Sequence, residues 1–513
     1  MAAAARGRAV RERRKGDMWG YWVLGVVAVG TALRFFRLGA KSLWVDEGYS
    51  VVVTRLGWGV LVKGVFELEN HPPLYFLALK LWNMAGYPES DGYVRGLSAI
   101  VSVAIVWGVY KLGRLVFGKW EGLVGAGLAG ISAYQIYFAQ EARLYALVGA
   151  LAVWSTYFLF RGLREEGRTR DWVAYCVLGA AALWTFYYSV FLVAAQGAAA
   201  VTYLVVKGRK EKGSAAWRGW VVSQVVLMLA FAPLAVMLLS KGKVTGGGGA
   251  GVSGGALGEG LAQYAVWVGS AVPERSLVAG LTLLGIFPVW AALMGMRKKW
   301  LGVTTTVMLF GLPFGMVALF PYKPFGFEVK HLFFVTPFYW VIAGFVVVRF
   351  KVAGRVACAA LVACNVLALS IYYGDSYQKE DWDWAAEYVG ERFGSRDAIF
   401  CEPAWGYYSF ERYWLRRYAG ELVRGEAYVL IDPEGELTAE ALREEFSPYR
   451  RVWLVEGENA AVVPNPNVEK WLGEMMSVRM KVERKSAIGK IIVVLFQRKE
   501  GERDEDSEGE GSS

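Results

Sequence analysis

The chain has 513 residues, 55% hydrophobic and 15% aromatic, with 22 Trp, 61 Gly, four Cys and two His, and its 20% charged residues sum to +10. A mean hydropathy of +0.32 excludes a soluble protein of two to four domains. The basic balance does not point to nucleic acid, because the charge is segregated. Residues 1–373 hold 37 basic and 17 acidic side chains, a net of +20, and residues 374–513 hold 19 and 29, a net of −10.

In chain order, a basic N-terminus over residues 1–18 carries Arg6, Arg8, Arg11, Arg13, Arg14 and Lys15. Charge-poor stretches of about 20 residues follow, the length needed to cross a bilayer core of roughly 30 Å. They predict eleven spanning helices at about 19–36, 94–113, 122–139, 144–160, 172–186, 188–206, 219–239, 277–296, 300–320, 332–349 and 355–373. Only Tyr187 and Tyr188 separate the fifth from the sixth. Every second loop is basic again: Arg114 and Lys119, Arg161 to Arg170, Lys207 to Arg218, Arg297 to Lys299, Arg349 to Arg355. By the positive-inside rule these loops and the N-terminus are cytoplasmic, and an odd span count puts the acidic C-terminal part outside. The first span has no small-residue cleavage site and is expected to be a retained anchor.

The external loops are then 37–93, 140–143, the Tyr187–Tyr188 turn, 240–276 and 321–331. Within the first, 73–86 is apolar but too short to span and reads as an interfacial helix. The glycine-rich 242–260 lacks the Gly-Lys-Ser/Thr ending of a phosphate loop and reads as a flexible connection. After Tyr373, helix-like periodicity at 382–393, 437–446 and 465–476 alternates with strand-like runs at 398–402, 427–432, 451–457 and 490–496.

The expected architecture is a polytopic α-helical membrane protein of about eleven spans with a small extracytoplasmic α/β domain. Its parts are the N-terminus 1–18, the transmembrane module 19–373, the α/β domain 374–499 and an acidic disordered tail 500–513. The expected location is a plasma or inner membrane. Cys176, Cys358 and Cys364 lie in apolar stretches and Cys401 stands alone, so no disulfide framework or CxxC pattern is present.

Polar groups at the external membrane boundary are the functional candidates, since charges beside apolar spans are costly unless paired or solvated. They are Asp46 and Glu47, His71, Glu141, Arg143, Lys330 and His331. On a helix Asp46 and Glu47 would point about 100° apart and so serve different roles; the alternative is a solvated pair at the interface. His71 precedes a stiff Pro-Pro step that also suits a plain helix entry. Glu141 and Arg143 either face a substrate or pair to close the turn. Lys330 either meets a ligand or snorkels. Carboxylates suit general-base activation of an acceptor and cations suit a phosphate leaving group. Acids are available for a divalent cation, but no ligand spacing singles one out.

An external Asp-Glu pair after the first span, then HPPLY (71–75), then YFAQEARLY (137–145) resembles, in order and spacing, the family-39-like glycosyltransferases of bacteria and archaea. These share the GT-C fold of the protein O-mannosyltransferases and the lipid A aminoarabinose transferase. The likeness runs through about residues 30–206, and TFYY (185–188), Lys330–His331 and DWDWAAEYV (381–389) agree with it. It implies transfer of a sugar from a polyprenyl-phosphate donor to a protein, lipid or glycan acceptor on the non-cytoplasmic face, with inversion. Asp46 would be the general base, Glu47 would organise the first external loop, and Glu141 would be a second acid. His71, Arg143, Lys330 and His331 would contact the donor phosphate or its neighbours, and Tyr187 and Tyr188 would line the substrate site. Two departures stand out. Many relatives carry His where this chain has Phe186, and Arg-Tyr where it has Lys330-His331; a lysine keeps the charge but loses bidentate geometry. A transporter of lipid-linked sugars or envelope polysaccharide is the alternative, although mid-span charges, its expected mark, are nearly absent.

Overall fold

The computed structural model describes residues 2–67, 71–164, 168–208, 214–240, 286–294, 299–319, 329–375, 377–394, 396–402, 405–418, 438–459, 464–486 and 489–499. The glycine-rich loop, most of the span expected at 277–296, the strand expected at 427–432 and the acidic tail fall outside them.

Among the described residues, seven helices are long and apolar enough to cross a membrane: Met18–Phe35, Asp91–Val116, Tyr145–Arg164, Ser189–Val206, Ala215–Leu238, Val329–Arg349 and Lys351–Tyr373. Lys119–Ile131 and Ala133–Ala139 make an eighth if counted together, but they are bent by 60°. The span expected at 122–139 is therefore broken. The helix at the fifth expected span, Thr169–Thr185, has 17 residues. The apolar stretch of the ninth, Trp300–Met316, is equally short. Helix length thus accounts for much of the difference between eleven and eight.

By internal contacts the chain divides into two units, Met1–Gly39 with Val53–Gly374, and Ala40–Val52 with Asp375–Ser513. In the first unit, Asp91–Val116 packs against Lys119–Ile131, Tyr145–Arg164 and Thr336–Arg349. Glycines let these backbones touch, as small residues do at membrane helix crossings. A Cβ on Gly344 would stand 2.2 Å from the Glu121 carbonyl oxygen and 2.7 Å from the Gly125 nitrogen.

The break at Ser132 leaves the last carbonyls of Lys119–Ile131 without partners in their own helix. Arg34, wholly buried in the first helix, answers them. Its Nη1 donates to the carbonyls of Gly30 (2.9 Å) and Gly130 (3.0 Å), its Nη2 to Ala129 (3.3 Å), and its Nε to Ser102 Oγ (2.8 Å). On the other side of the break, the Ala133 amide donates to Asn365 Oδ1 at 2.8 Å, and Gln135 donates to Ser132 Oγ at 3.3 Å.

The second unit holds a sheet of strands β1 (Asp397–Glu402), β2 (Arg451–Asn459), β3 (Met476–Lys485) and β4 (Gly489–Arg498) in the order β1-β2-β4-β3. β1 and β2 run parallel, and β4 is antiparallel to both β2 and β3. Strand alternation gives the sheet two apolar faces. Ile399, Trp453, Val455 and Val493 pack with Trp382, Phe410 and Trp414 of helices Trp382–Gly390 and Trp405–Tyr418. Phe400, Val452, Leu454 and Val494 pack with Leu442, Phe446, Val468 and Leu472 of helices Ala439–Phe446 and Pro466–Met475. Val45, from far upstream in the chain, belongs to the first of these cores.

Candidate active site

In the first unit, His71, His331 and Tyr188 surround Phe186. Thr169–Thr185 ends at Phe186, whose backbone is extended (φ −156°, ψ 127°), and Tyr187–Tyr188 form the turn into Ser189–Gly208. The Phe186 ring lies 5.5 Å from the His71 ring and 5.8 Å from that of His331, centroid to centroid. Tyr188 stacks on His331 at 5.3 Å and 24°. Tyr187 is buried in the same turn. Phe186 and His331, one from each of the two departures from the resembled family, are therefore ring neighbours.

His71 stands one residue before Pro72-Pro73, which open the helix Leu74–Met84. Pro73 is the N-cap of that helix, where its missing N–H removes no bond of the helical ladder. His71 is buried, and among the described residues its Nδ1 has no hydrogen-bond partner. Loss of water, then the charges of Arg143, His331 and Lys330, hold its pKa well below 6.5. It is a neutral imidazole at neutral pH, able to share a hydrogen bond but not to act as a cation. The positive charge beside it comes from Arg143 and Lys330. Burial also pushes the Tyr188 phenol up to about 12, so it remains a hydroxyl donor.

The turn from Gln140 to Leu144 is fixed from both ends. Gln140 Nε2 donates to the carbonyls of Arg34 (2.9 Å) and Phe36 (2.8 Å), and its Oε1 accepts from the Tyr372 hydroxyl (2.9 Å). Ser98 Oγ donates to the Arg143 carbonyl at 3.3 Å and lies 3.3 Å from the Tyr75 hydroxyl. Glu141 and Arg143 are both buried, with 1% and 6% of their surfaces exposed. Polar groups held this way need no reorganisation when a charged ligand arrives.

Asp46 and Glu47 lie in the second unit, in the first turn of the helix Val45–Arg55. There carboxylates interact favourably with the helix dipole. Their environments differ, as the angle between them predicts. Glu47 is fully buried, with Oε2 3.7 Å from Lys379 Nζ, which is itself 1% exposed. Asp46 is half-buried. Glu380, also fully buried, accepts from the Val45 amide at 3.0 Å and from Trp382 Nε1 at 2.9 Å through its Oε2.

Sequence reasoning passed over Arg34, Lys379 and Glu380. Arg34 lies inside an apolar run, where a lone charge is itself the signal. Lys379 and Glu380 sit in the run QKED, which reads as an ordinary solvated linker. Among the described residues, no group of three or more His, Cys, Asp or Glu side chains is arranged to hold a metal ion.

The model of the dolichyl-phosphate-mannose-protein mannosyltransferase family matches residues 70–237, which include His71, Glu141, Arg143 and the Tyr187–Tyr188 turn. No curated protein sequence matches the chain. Among solved structures it is similar to ArnT from Cupriavidus metallidurans in the apo state, with a TM-score of 0.57 and 13% identity over 93% of this chain and 98% of that one. It is similar also to the same protein bound to undecaprenyl phosphate, with a TM-score of 0.55 and 13% identity over 92% and 98%. At that identity the likeness is one of fold. The chain is thus similar to the dolichyl-phosphate-mannose-protein mannosyltransferase family over about a third of its length, and it shares its fold with ArnT.

Proposed function

We propose that the protein is an inverting glycosyltransferase that takes a sugar from a polyprenyl-phosphate donor and passes it to a protein, lipid or glycan acceptor on the non-cytoplasmic side of a membrane. The observation that carries this reading is the buried polar group in the first unit. Two cations, Arg143 and Lys330, act on a neutral imidazole amid stacked rings. Cations suit a departing lipid phosphate, and the aromatic faces of Phe186, Tyr187 and Tyr188 suit a sugar ring or a lipid chain. The fold shared with ArnT, a protein solved with undecaprenyl phosphate bound, supports the choice of donor.

In this reading Asp46 takes the proton of the acceptor hydroxyl as that oxygen attacks the anomeric carbon. The bond to the donor phosphate breaks on the opposite face, and the polyprenyl phosphate leaves as an anion that needs no general acid. Glu141 contacts sugar or acceptor, and Glu47 fixes the backbone beside Asp46. Membranes bearing the protein are expected to move sugar from a polyprenyl-phosphate sugar, and Asp46→Asn to abolish transfer at an unchanged protein level. Full activity in that variant would remove Asp46 from the role of base.

A lipid-linked sugar transporter is the second reading, favoured by the 60° break between Lys119–Ile131 and Ala133–Ala139, since transporters bind substrates at broken helices. Arg34, the charge at that break, already donates to four acceptors. That saturation weighs for a structural break. Movement of labelled lipid across sealed vesicles with no new glycosidic bond would reverse the choice.

A further inference from the structure

The short segment Ala40–Val52 lies between the first two expected spans in sequence but packs entirely within the second unit. Tyr377, Lys379, Glu380, Asp381 and Tyr413 of that unit hold it. Lys41 Nζ donates to the Tyr377 carbonyl, and Ser42 Oγ donates to Asp381 Oδ1 at 3.1 Å. The Leu43 amide donates to the Tyr413 hydroxyl at 2.6 Å, and the Val45 amide donates to Glu380 Oε2 at 3.0 Å. Glu47 then meets Lys379 at 3.7 Å, both side chains shut off from water.

The two residues flanking Asp46 are thus each fixed by one of two adjacent residues. Glu380 takes the first free N–H of the helix Val45–Arg55, where a carboxylate is favoured by the unpaired amides and the dipole. Lys379 neutralises Glu47 one residue after Asp46. A buried pair of this kind adds little stability over two well-packed apolar side chains, because desolvation offsets its attraction. What it does supply is register: the helix cannot turn or slide by one residue without stranding a buried charge. That restriction falls on the turn that presents the half-buried Asp46.

We propose that Lys379 and Glu380 are positioning residues for Asp46, holding the turn that carries it in one register. This rests on the reading of Asp46 as general base. Its test uses the full-length protein in detergent or membranes, with sugar transfer followed over a range of polyprenyl-phosphate-sugar concentrations. Lys379→Met is expected to lower kcat about tenfold or more, as displacing a reacting group by an ångström does. The donor KM should stay within about twofold, because the cations and rings of the first unit are untouched. Lys379→Arg restores the charge and is expected to recover most of the loss, and Glu380→Gln, which keeps an acceptor oxygen, to fall between wild type and Glu380→Leu. A merely structural role would lower protein level and melting temperature in step with activity, without a split between kcat and KM. Should Lys379→Met fail to accumulate, the milder Lys379→Arg and Glu380→Gln decide the matter by the same split. Wild-type kcat in Lys379→Met or Glu380→Leu, or a change confined to donor KM, overturns the proposal. Asp46→Asn, run alongside, separates the two failures. An active Asp46→Asn removes the base reading and the positioning role with it, whereas an inactive Asp46→Asn beside a normal Lys379→Met removes only the positioning role.

Discussion

The imidazole of His331 lies flat against the ring of Tyr188, with centroids 5.3 Å apart and planes inclined by 24°. The contact joins the turn between two helices to the 3-10 entry of a late span, Val329–Val335. Ring pairs of this kind contribute about 0.5–1.5 kcal/mol beyond burial. Tyr188→Ala is therefore expected to weaken donor binding by roughly three- to tenfold, seen as a raised donor KM. Tyr188→Phe keeps the ring and should stay near wild type. An unaltered KM in Tyr188→Ala would remove this pair from the donor pocket.

His71 makes stability depend on pH in a definite direction. Burial, then Arg143, His331 and Lys330, hold its pKa well below 6.5, whereas in the unfolded chain it titrates near that value. Below pH 6.5 the unfolded chain takes up a proton that the folded chain refuses. Its contribution is fully present above 6.5 and declines as the pH falls from there toward the folded value. His71→Gln, neutral throughout, should show a smaller drop in melting temperature than wild type between about pH 7.5 and pH 5. Parallel curves for the two proteins would mean that His71 titrates freely in the fold.

Arg34 holds the helix break at Ser132, and its removal should be costly. Arg34→Leu strands the Gly130 and Ala129 carbonyls in an apolar setting, each worth on the order of 1–3 kcal/mol when unsatisfied. A fall in melting temperature and in protein recovered from membranes is expected, with Arg34→Lys less affected because it can still reach one carbonyl. Equal stability of Arg34→Leu and wild type would show that the break holds without it.

The contrast between Arg34 and the apolar runs explains which features were open to sequence reading. The helices around 94–113, 144–160, 188–206 and 355–373 were expected because nothing in them competes with apolar periodicity. The bend at Ser132 was not, because its determinants lie 98 positions upstream and, in Asn365, 233 downstream in other helices. Strands β1, β2 and β4 correspond to apolar runs that announce themselves. β3 reads MSVRMKVERK, its outward residues are charged, and only pairing with β4 makes it a strand. Asp46, Glu47, His71 and Arg143 stood out as charges beside apolar segments. Lys379 and Glu380 did not, since burial inside a second unit leaves no mark on a polar linker.

Gly48 sits where the helix Val45–Arg55 crosses Trp405–Tyr418. A Cβ there would lie 2.1 Å from Ser409 Oγ and 3.0 Å from both Cα and N of Ser409. Gly48→Ala should destabilise the protein by about 1–3 kcal/mol, the usual cost of overfilling a packed contact. Adding Ser409→Gly removes the hydroxyl clash but leaves the backbone contacts, so it should recover only part of the loss. Full recovery in the double variant, read by thermal unfolding, would place the whole cost on the Ser409 side chain.

The bond between Leu43 and Tyr413 spans 370 positions, and it sets a timetable. At about 5–20 residues per second, a growing chain needs roughly 20–70 s after Leu43 to make Tyr413. Until then the segment carrying Asp46 lacks its full set of partners, whatever the state of the helices already inserted. A protein arrested or cut before residue 380 would carry every membrane-embedded candidate and still lack a docked Asp46. If Asp46 is the general base proposed above, the order of synthesis leaves an unfinished chain without a positioned base.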